Sequence, residues 1–150
     1  MGPLQFTCPT KYAVDARAVA ADVPAWRYRY MADWPNLRLY EAFNGYPDSG
    51  TYHGADLNML FGTAVDVSGE QNGAEEDQMS TYSMSAWAAL ARDPAEGLNE
   101  FGWSRYGEGE DLVLLGKDNW AGSVFADAEV YDVVCPPVKA NDPLPGRGAF

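Results

Sequence analysis

Gly50-Thr51-Tyr52-His53-Gly54-Ala55-Asp56 is the stretch that decides the fold of this chain, and it runs into the apolar segment Leu57 to Phe61. It contains His53, the only histidine among the 150 residues. Glycines near the histidine let the backbone bend sharply and let other groups approach closely. Imidazole is the side chain best suited to move protons near neutral pH. A lone histidine on a loop is more often a polar surface residue, so the neighbours of His53 decide its interpretation.

Residues Gly50 to Gly62 resemble the histidine segment of the type-B carboxylesterase and cholinesterase-like lipase family. That segment reads roughly Gly-x-x-His-Gly-x-Glu-[Leu/Ile]-x-x-x-Phe-Gly, and Asp56 stands here where the family has Glu. The resemblance implies the α/β-hydrolase fold and hydrolysis of carboxylic esters by a Ser–His–acid triad. It also implies that His53 is the triad histidine, which acts as the general base. We interpret Asp56, so close to the histidine in sequence, as a brace of the loop rather than as the triad acid.

The resemblance continues through other segments of the chain, from about residue 5 to residue 138. These segments match only the C-terminal part of a typical family member. The expected fold class is therefore α/β, as a C-terminal fragment of an α/β-hydrolase fold that holds the last strands of the sheet, the histidine loop and the packing helices. Residues 1–138 are expected to form this part of the domain. Residues 139–150, rich in proline and glycine, are expected to be a disordered tail.

The chain lacks the other parts of an esterase site. It contains no Gly-x-Ser-x-Gly nucleophile elbow and no glycine-rich oxyanion segment. Without a nucleophile and oxyanion donors, a triad histidine has no proton to take and no charge to help stabilise. The chain alone is therefore expected to be inactive, and to act on an ester only when an upstream hydrolase segment completes it. One histidine and two distant cysteines make no metal site, and no phosphate-binding or dinucleotide motif predicts a cofactor.

Three functional hypotheses follow from these residues. In the first, the chain is an esterase or lipase fragment that supplies His53 as the base. In the second, it is a non-catalytic interaction module, because the cholinesterase-like family includes adhesion proteins that keep the fold without the serine. In the third, it is an independent α+β domain whose histidine is incidental. The intact histidine motif favours the first hypothesis, whereas the missing serine opposes activity of this chain by itself.

Cys8 and Cys135 stand near opposite ends of the chain. In a cytosolic protein they would be free thiols. The family resemblance instead implies a disulfide between them and a secreted, extracellular protein, because similar enzymes are mostly secreted and carry a disulfide at matching positions. The first residues, Met1 to Phe6, have neither the basic start nor the apolar stretch of a signal peptide, and there is no glycosylation sequon.

Composition excludes two classes of partner. The formal net charge is −12, so no basic surface is available to neutralise the phosphates of a nucleic acid. This charge outweighs the alternation of aromatic and basic residues in Trp26 to Tyr30, a pattern that also occurs in nucleic-acid-binding strands. No apolar run approaches the roughly 20 residues that a membrane-spanning helix needs.

Hydrophobic spacing predicts the main elements. We predict helices over about residues 10–21 and 74–92, with Pro9 suited to a first helical turn, and strands over residues 26–30 and 111–116. Residues 124–134 are typical of either a short strand or a helix. If the chain is a fragment of a larger sheet, the strands near Tyr28 and near Val113 should expose an unpaired edge or an apolar patch.

Overall fold

The computed structural model describes residues 3–19, 21–41, 45 and 47–137, so the predicted tail at 139–150 lies outside the described residues. Six α-helices and three strands are described within these ranges. In chain order they are α1 Pro3–Val14, β1 Arg27–Tyr30, α2 Leu57–Leu60, α3 Ala64–Ser68, α4 Ala74–Arg92, α5 Gly97–Phe101, β2 Leu112–Leu115, β3 Ser123–Ala126 and α6 Ala128–Asp132. A π-helical turn, Asp15–Val19, continues α1, and short 3-10 turns lie at Pro35–Leu37 and Lys117–Asn119.

The three strands form one mixed sheet in the order β1-β2-β3. β1 runs parallel to β2, with Tyr28 opposite Val113, and β3 runs antiparallel to β2, with Phe125 opposite Val113. Every residue of β2 is buried. A strand covered on both faces is apolar throughout rather than alternating, which explains the sequence Leu-Val-Leu-Leu.

Helices cover both faces of the sheet. Successive side chains of a strand point to opposite faces, so Tyr28 faces Trp87 of α4 while Arg27 faces Asp132 of α6. The larger hydrophobic cluster joins Val113 to Met79 and lies on the α4 side. A smaller cluster lies on the α6 side. Helices on both faces of a mixed sheet agree with the predicted α/β class.

The helix predicted over residues 74–92 is confirmed as α4. Three acidic residues in its first turn favour the positive end of the helix dipole, and Arg92 favours the negative end. Met79 and Ala86 on its apolar face are fully buried, as ordinary core packing requires.

The predicted start of the first helix is wrong. The helix begins at Pro3 instead of Thr10, and Pro9 lies inside it rather than in its first turn. Proline in a helix interior removes a backbone hydrogen bond. A tertiary contact holds this turn in place, because Cys8 is buried and forms a disulfide with Cys135. Within the helix, the Thr10 hydroxyl donates to the Phe6 carbonyl at 2.7 Å.

Residues 124–134, whose sequence is typical of either a strand or a helix, contain both: β3 ends at Ala126 and α6 begins at Ala128. The turn before β3 has left-handed backbone at Asp118 and Asn119, both with φ of 57°. β3 thus pairs with the side of β2 that we expected to be open. Among the described strands, β1 is confirmed as an edge, whereas the exposed edge predicted near Val113 is wrong because β2 is central.

Candidate functional site

The histidine loop, residues 50–56, lies at the carboxyl end of β1. Two side chains before the histidine tie this loop to the segment that follows the strand. The Thr51 hydroxyl lies 2.7 Å from the carbonyl oxygen of Ala32. The Tyr52 hydroxyl donates to the carbonyl of Leu37 at 3.2 Å. Both contacts join residues distant in sequence, so the position of the loop depends on the tertiary fold.

Two glycines give the histidine loop its bends. Gly50 has a φ of 51° and Gly54 a φ of 88°, a left-handed backbone that strains other residues. Immediately after the histidine, the Ala55 N–H donates to the Tyr52 carbonyl at 3.1 Å, which closes a tight turn. His53 therefore stands at the tip of the loop, and its side chain is exposed.

The imidazole of His53 stacks on Phe6 of α1. The two ring centroids are 4.3 Å apart and the planes meet at 23°. A stacked ring covers one face of the imidazole. The proton and lone pair of the two ring nitrogens lie in the ring plane, so stacking on a face does not obstruct them. The contact thus orients the ring and keeps its edge available.

Asp56 connects the other end of the loop to β1. Its carboxylate accepts a hydrogen bond from the Tyr28 hydroxyl at 2.7 Å. Burial, together with this bond and the negative charge of Asp56, raises the pKa of the Tyr28 phenol, so the phenol stays protonated and donates. Asp56 stands at the N-cap of α2 but makes no capping bond there. The carboxylate therefore braces the loop against the sheet.

An ion cluster centred on Arg38 lies next to the histidine loop in sequence. Arg38 makes two hydrogen bonds to Asp33, at 2.8 and 2.7 Å, and an ion pair with Asp48 at 3.0 Å. The Arg38 guanidinium lowers the pKa of the Asp33 carboxyl below its ordinary value, chiefly through these hydrogen bonds. The cluster ties residues just before the histidine loop to the turn after β1.

Three serines, Ser80, Ser83 and Ser85, lie close together in α4. The Ser80 hydroxyl is buried and donates to the carbonyl of Met59 at 2.8 Å, which joins α4 to α2. Ser83 is buried and lies 3.5 Å from the sulfur of Met79. Ser85 lies within the same helix. The Ser80 and Ser83 hydroxyls thus take part in helix packing, and none of the three serines stands in a strand-to-helix turn.

The structure brings Cys8 and Cys135 together as a disulfide, with Cα atoms 5.3 Å apart across a sequence separation of 127. Sequence reasoning missed Phe6 and Tyr28 as partners of the histidine loop. No local pattern indicates either residue, because the two contacts join elements that are far apart in the chain.

Within the described ranges, no three His, Cys, Asp or Glu side chains group as metal ligands would. None of the helices described here has the length and apolar composition needed to cross a membrane.

A chlorogenic acid esterase of Aspergillus niger is 29% identical to this chain over 124 residues. The match covers 72% of the chain but 22% of the fungal enzyme, so the chain spans about a fifth of the length of that relative. No family model matches the chain. No solved structure matches it. The chain thus has a distant relationship to an esterase, at a level coarser than membership of the type-B family.

Proposed function

We propose that this chain is the histidine-bearing C-terminal part of a carboxylic ester hydrolase with the α/β-hydrolase fold, of the type-B carboxylesterase kind, and that His53 is its general base. The observation that carries the proposal is the loop at the carboxyl end of β1, where hydrogen bonds to Ala32, Leu37 and Tyr28 hold the loop with an exposed imidazole at its tip. Ligands of α/β sheets bind outside the carboxyl ends of the strands. The distant esterase relationship supports the same reaction class.

In the proposed reaction, an upstream segment supplies a serine, a carboxylate and the oxyanion donors. One nitrogen of His53 takes the serine proton as the serine oxygen attacks the ester carbonyl carbon. The other nitrogen donates its N–H to the carboxylate, which holds the tautomer in place. The histidinium then gives its proton to the departing alcohol. A water molecule, activated by the same base, releases the acid and restores the serine.

The contacts of Asp56 and Phe6 fit this division of roles. Asp56 is engaged with the Tyr28 hydroxyl, which supports its role as a brace and leaves the triad acid to the upstream segment. Phe6 covers a face of the His53 ring and leaves its edge accessible to a serine.

The disulfide between Cys8 and Cys135 closes a loop that includes nearly all of the described residues. Disulfides are typical of oxidising compartments, which supports the proposal of a secreted protein.

The test is a chimeric polypeptide in which this chain replaces its matched segment in the Aspergillus niger enzyme. Hydrolysis of p-nitrophenyl acetate and of chlorogenic acid is measured, with folding checked by circular dichroism. Replacing His53 with Gln should lower kcat by at least about a hundredfold, since it removes the general base. Exposed Gln71, outside the site, is changed to Ala as the control and should leave kcat unchanged.

A folded chimera that hydrolyses neither ester contradicts the proposed function. Equal activity in the wild-type chimera and in the His53→Gln variant contradicts the role of His53. An inactive but folded chimera would favour the second hypothesis, a non-catalytic interaction module.

A further inference from the structure

The first turns of α1 carry two side chains that meet distant parts of the fold. Phe6 stacks on the imidazole of His53, and two residues later Cys8 forms the disulfide with Cys135. Residues two apart on a helix point in directions that differ by about 200°. Cys8 is 2% exposed, whereas Phe6 is 41% exposed. The helix is thus fixed through one side and presents Phe6 to the histidine on the other.

The disulfide ties α1 to the sheet through the segment after α6. The Cys135 N–H donates to the carbonyl of Asp132 at 2.8 Å. The carboxylate of Asp132 accepts a hydrogen bond from Arg27 of β1 at 2.7 Å, and both of these side chains are buried. The helix that carries Phe6 is therefore anchored, by covalent and buried contacts, to β1.

The histidine loop is anchored to the same strand. Its Asp56 accepts the hydrogen bond from the Tyr28 hydroxyl, and Tyr28 follows Arg27 directly in β1. The two rings of the stack are therefore held through adjacent residues of one strand. Their contact is a consequence of the fold rather than of a local sequence pattern.

The stack restricts the orientation of the imidazole. The last torsion of a histidine side chain has a broad, roughly two-fold preference when nothing contacts the ring. Aromatic pairs prefer defined offsets and angles, so a phenyl ring on one face removes part of that freedom. Phe6 is too exposed to contribute much to a hydrophobic core, so orientation of His53 is the main effect of its ring.

We propose that Phe6 is a positioning residue for His53 and that the Cys8–Cys135 disulfide holds Phe6 in place, so the orientation of the imidazole depends on the oxidation state of the disulfide. The reaction role rests on the proposed function. In that reaction both nitrogens act in the plane of the ring, one towards the serine and one towards the carboxylate. Phe6 fixes this plane without touching the substrate, so its loss should lower kcat and leave KM almost unchanged.

The first measurement is proton NMR of the chain itself. His53 is the only histidine, so the imidazole signals are assigned to it without ambiguity. The ring current of a stacked phenyl shifts these signals upfield. Phe6→Leu keeps an apolar side chain and should abolish the upfield shift, whereas Phe6→Tyr keeps the ring and should retain it. Phe61→Leu, the same change at a phenylalanine that is 68% exposed, is the matched control and should leave the signals unchanged.

Reduction tests the role of the disulfide. Dithiothreitol, a dithiol, gives two electrons and two protons to the bond, becomes a cyclic disulfide and leaves Cys8 and Cys135 as thiols. The upfield shift should then be lost in the wild-type chain, and the signals of Phe6→Leu should move no further. Folded and unfolded chains give separate His53 signals, and added sulfate keeps the folded form populated.

The second measurement is the kinetics of the chimera that tests the proposed function. Phe6→Leu should lower kcat by about threefold to tenfold, with KM changed by less than about twofold. Phe6→Tyr should restore kcat, and Phe61→Leu should leave both constants unchanged. A role of Phe6 in folding alone would not be rescued selectively by an aromatic ring.

The proposal is overturned if the His53 signals of Phe6→Leu match those of the wild type, or if the kcat of this variant is unchanged in an active chimera. An upfield shift that survives reduction overturns the role of the disulfide. The NMR measurements need no esterase activity, so the two failures are distinguishable. A folded but inactive chimera, with the expected NMR changes, would contradict the proposed function and support the redox-dependent contact of Phe6 with His53.

Discussion

At the scale of single residues, the histidine loop shows how an exposed side chain is given a defined position. His53 makes its contact through a ring face, with Phe6, while the residues around it carry the hydrogen bonds. Its position is therefore set by neighbours. Tyr28 is central to this arrangement, because it joins the loop to the edge strand through Asp56.

Changing Tyr28 to Phe should remove that connection and keep the edge-on contact between the Tyr28 ring and Trp87. We expect the free energy of unfolding to fall by about 1 kcal/mol, the value of a partly exposed hydrogen bond to a carboxylate. Urea unfolding measures it. Exposed Tyr40, changed to Phe, is the control and should alter stability by less than about 0.5 kcal/mol. Equal losses in the two variants would show that the Tyr28 hydroxyl does not brace the loop.

Asp33 should make stability depend on acid pH. Its pKa is lowered in the folded state by the hydrogen bonds from Arg38, so its contribution is present above the unfolded pKa and disappears as pH falls through the folded pKa. Asp33→Asn should therefore destabilise the protein at about pH 7 and have little effect at about pH 2. Unfolding at both pH values measures the difference. The same change at exposed Asp66 should give no such dependence, and a penalty at Asp33 that is equal at both pH values would contradict the argument.

At the scale of elements, α4 follows its sequence signals closely and α1 does not. The long amphipathic pattern, the acidic first turn and Pro94 after the last turn all agree on α4. In α1, Pro9 favours a helix start near residue 10, and the disulfide of Cys8 with Cys135 holds the earlier turn in the helix instead. Local signals determine the bounds of a helix when they agree with one another. Where local signals conflict, long-range contacts determine the bounds.

Met79 of α4 provides a test of the core at this scale. It is fully buried, so Met79→Ala should leave a cavity and lower the free energy of unfolding by about 2 to 5 kcal/mol. Met84 lies on the same helix and is 41% exposed, and its change to Ala should cost less than about 1 kcal/mol. Thermal unfolding of the two variants makes the comparison. Similar losses would mean that the face of α4 towards the sheet is not the core.

At the scale of the whole molecule, the disulfide joins α1 to the segment after α6 and so closes the layer of helices on one face of the sheet. The buried ion pair of Arg27 with Asp132 links the same layer to β1, with both side chains 5% exposed. The Tyr106 hydroxyl adds a hydrogen bond to Asp15 at 2.8 Å. These contacts stabilise the helices on this face of the sheet.

Replacing both Cys8 and Cys135 with Ala should lower the free energy of unfolding by about 2 to 5 kcal/mol, because the bridge restricts an unfolded loop that spans 127 residues. Denaturant unfolding with and without dithiothreitol measures it. The reductant should destabilise the wild-type protein and leave the double variant unchanged. If the free energy of unfolding of the wild-type protein is the same with and without dithiothreitol, this expectation is contradicted.

The amino-acid sequence by itself determined α4, the strand near Tyr28 and the histidine motif, because each is encoded by residues adjacent in the chain. The disulfide between Cys8 and Cys135, suggested by family resemblance, is present in the structure. The tertiary structure alone decided which partners hold the histidine loop, since Phe6 and Tyr28 reach it across the fold. It also decided that β2 is central and β1 open. Strand order depends on which distant segments pair to bury apolar surface, and hydrophobic periodicity reports only that a strand has buried faces, not which strand lies beside it.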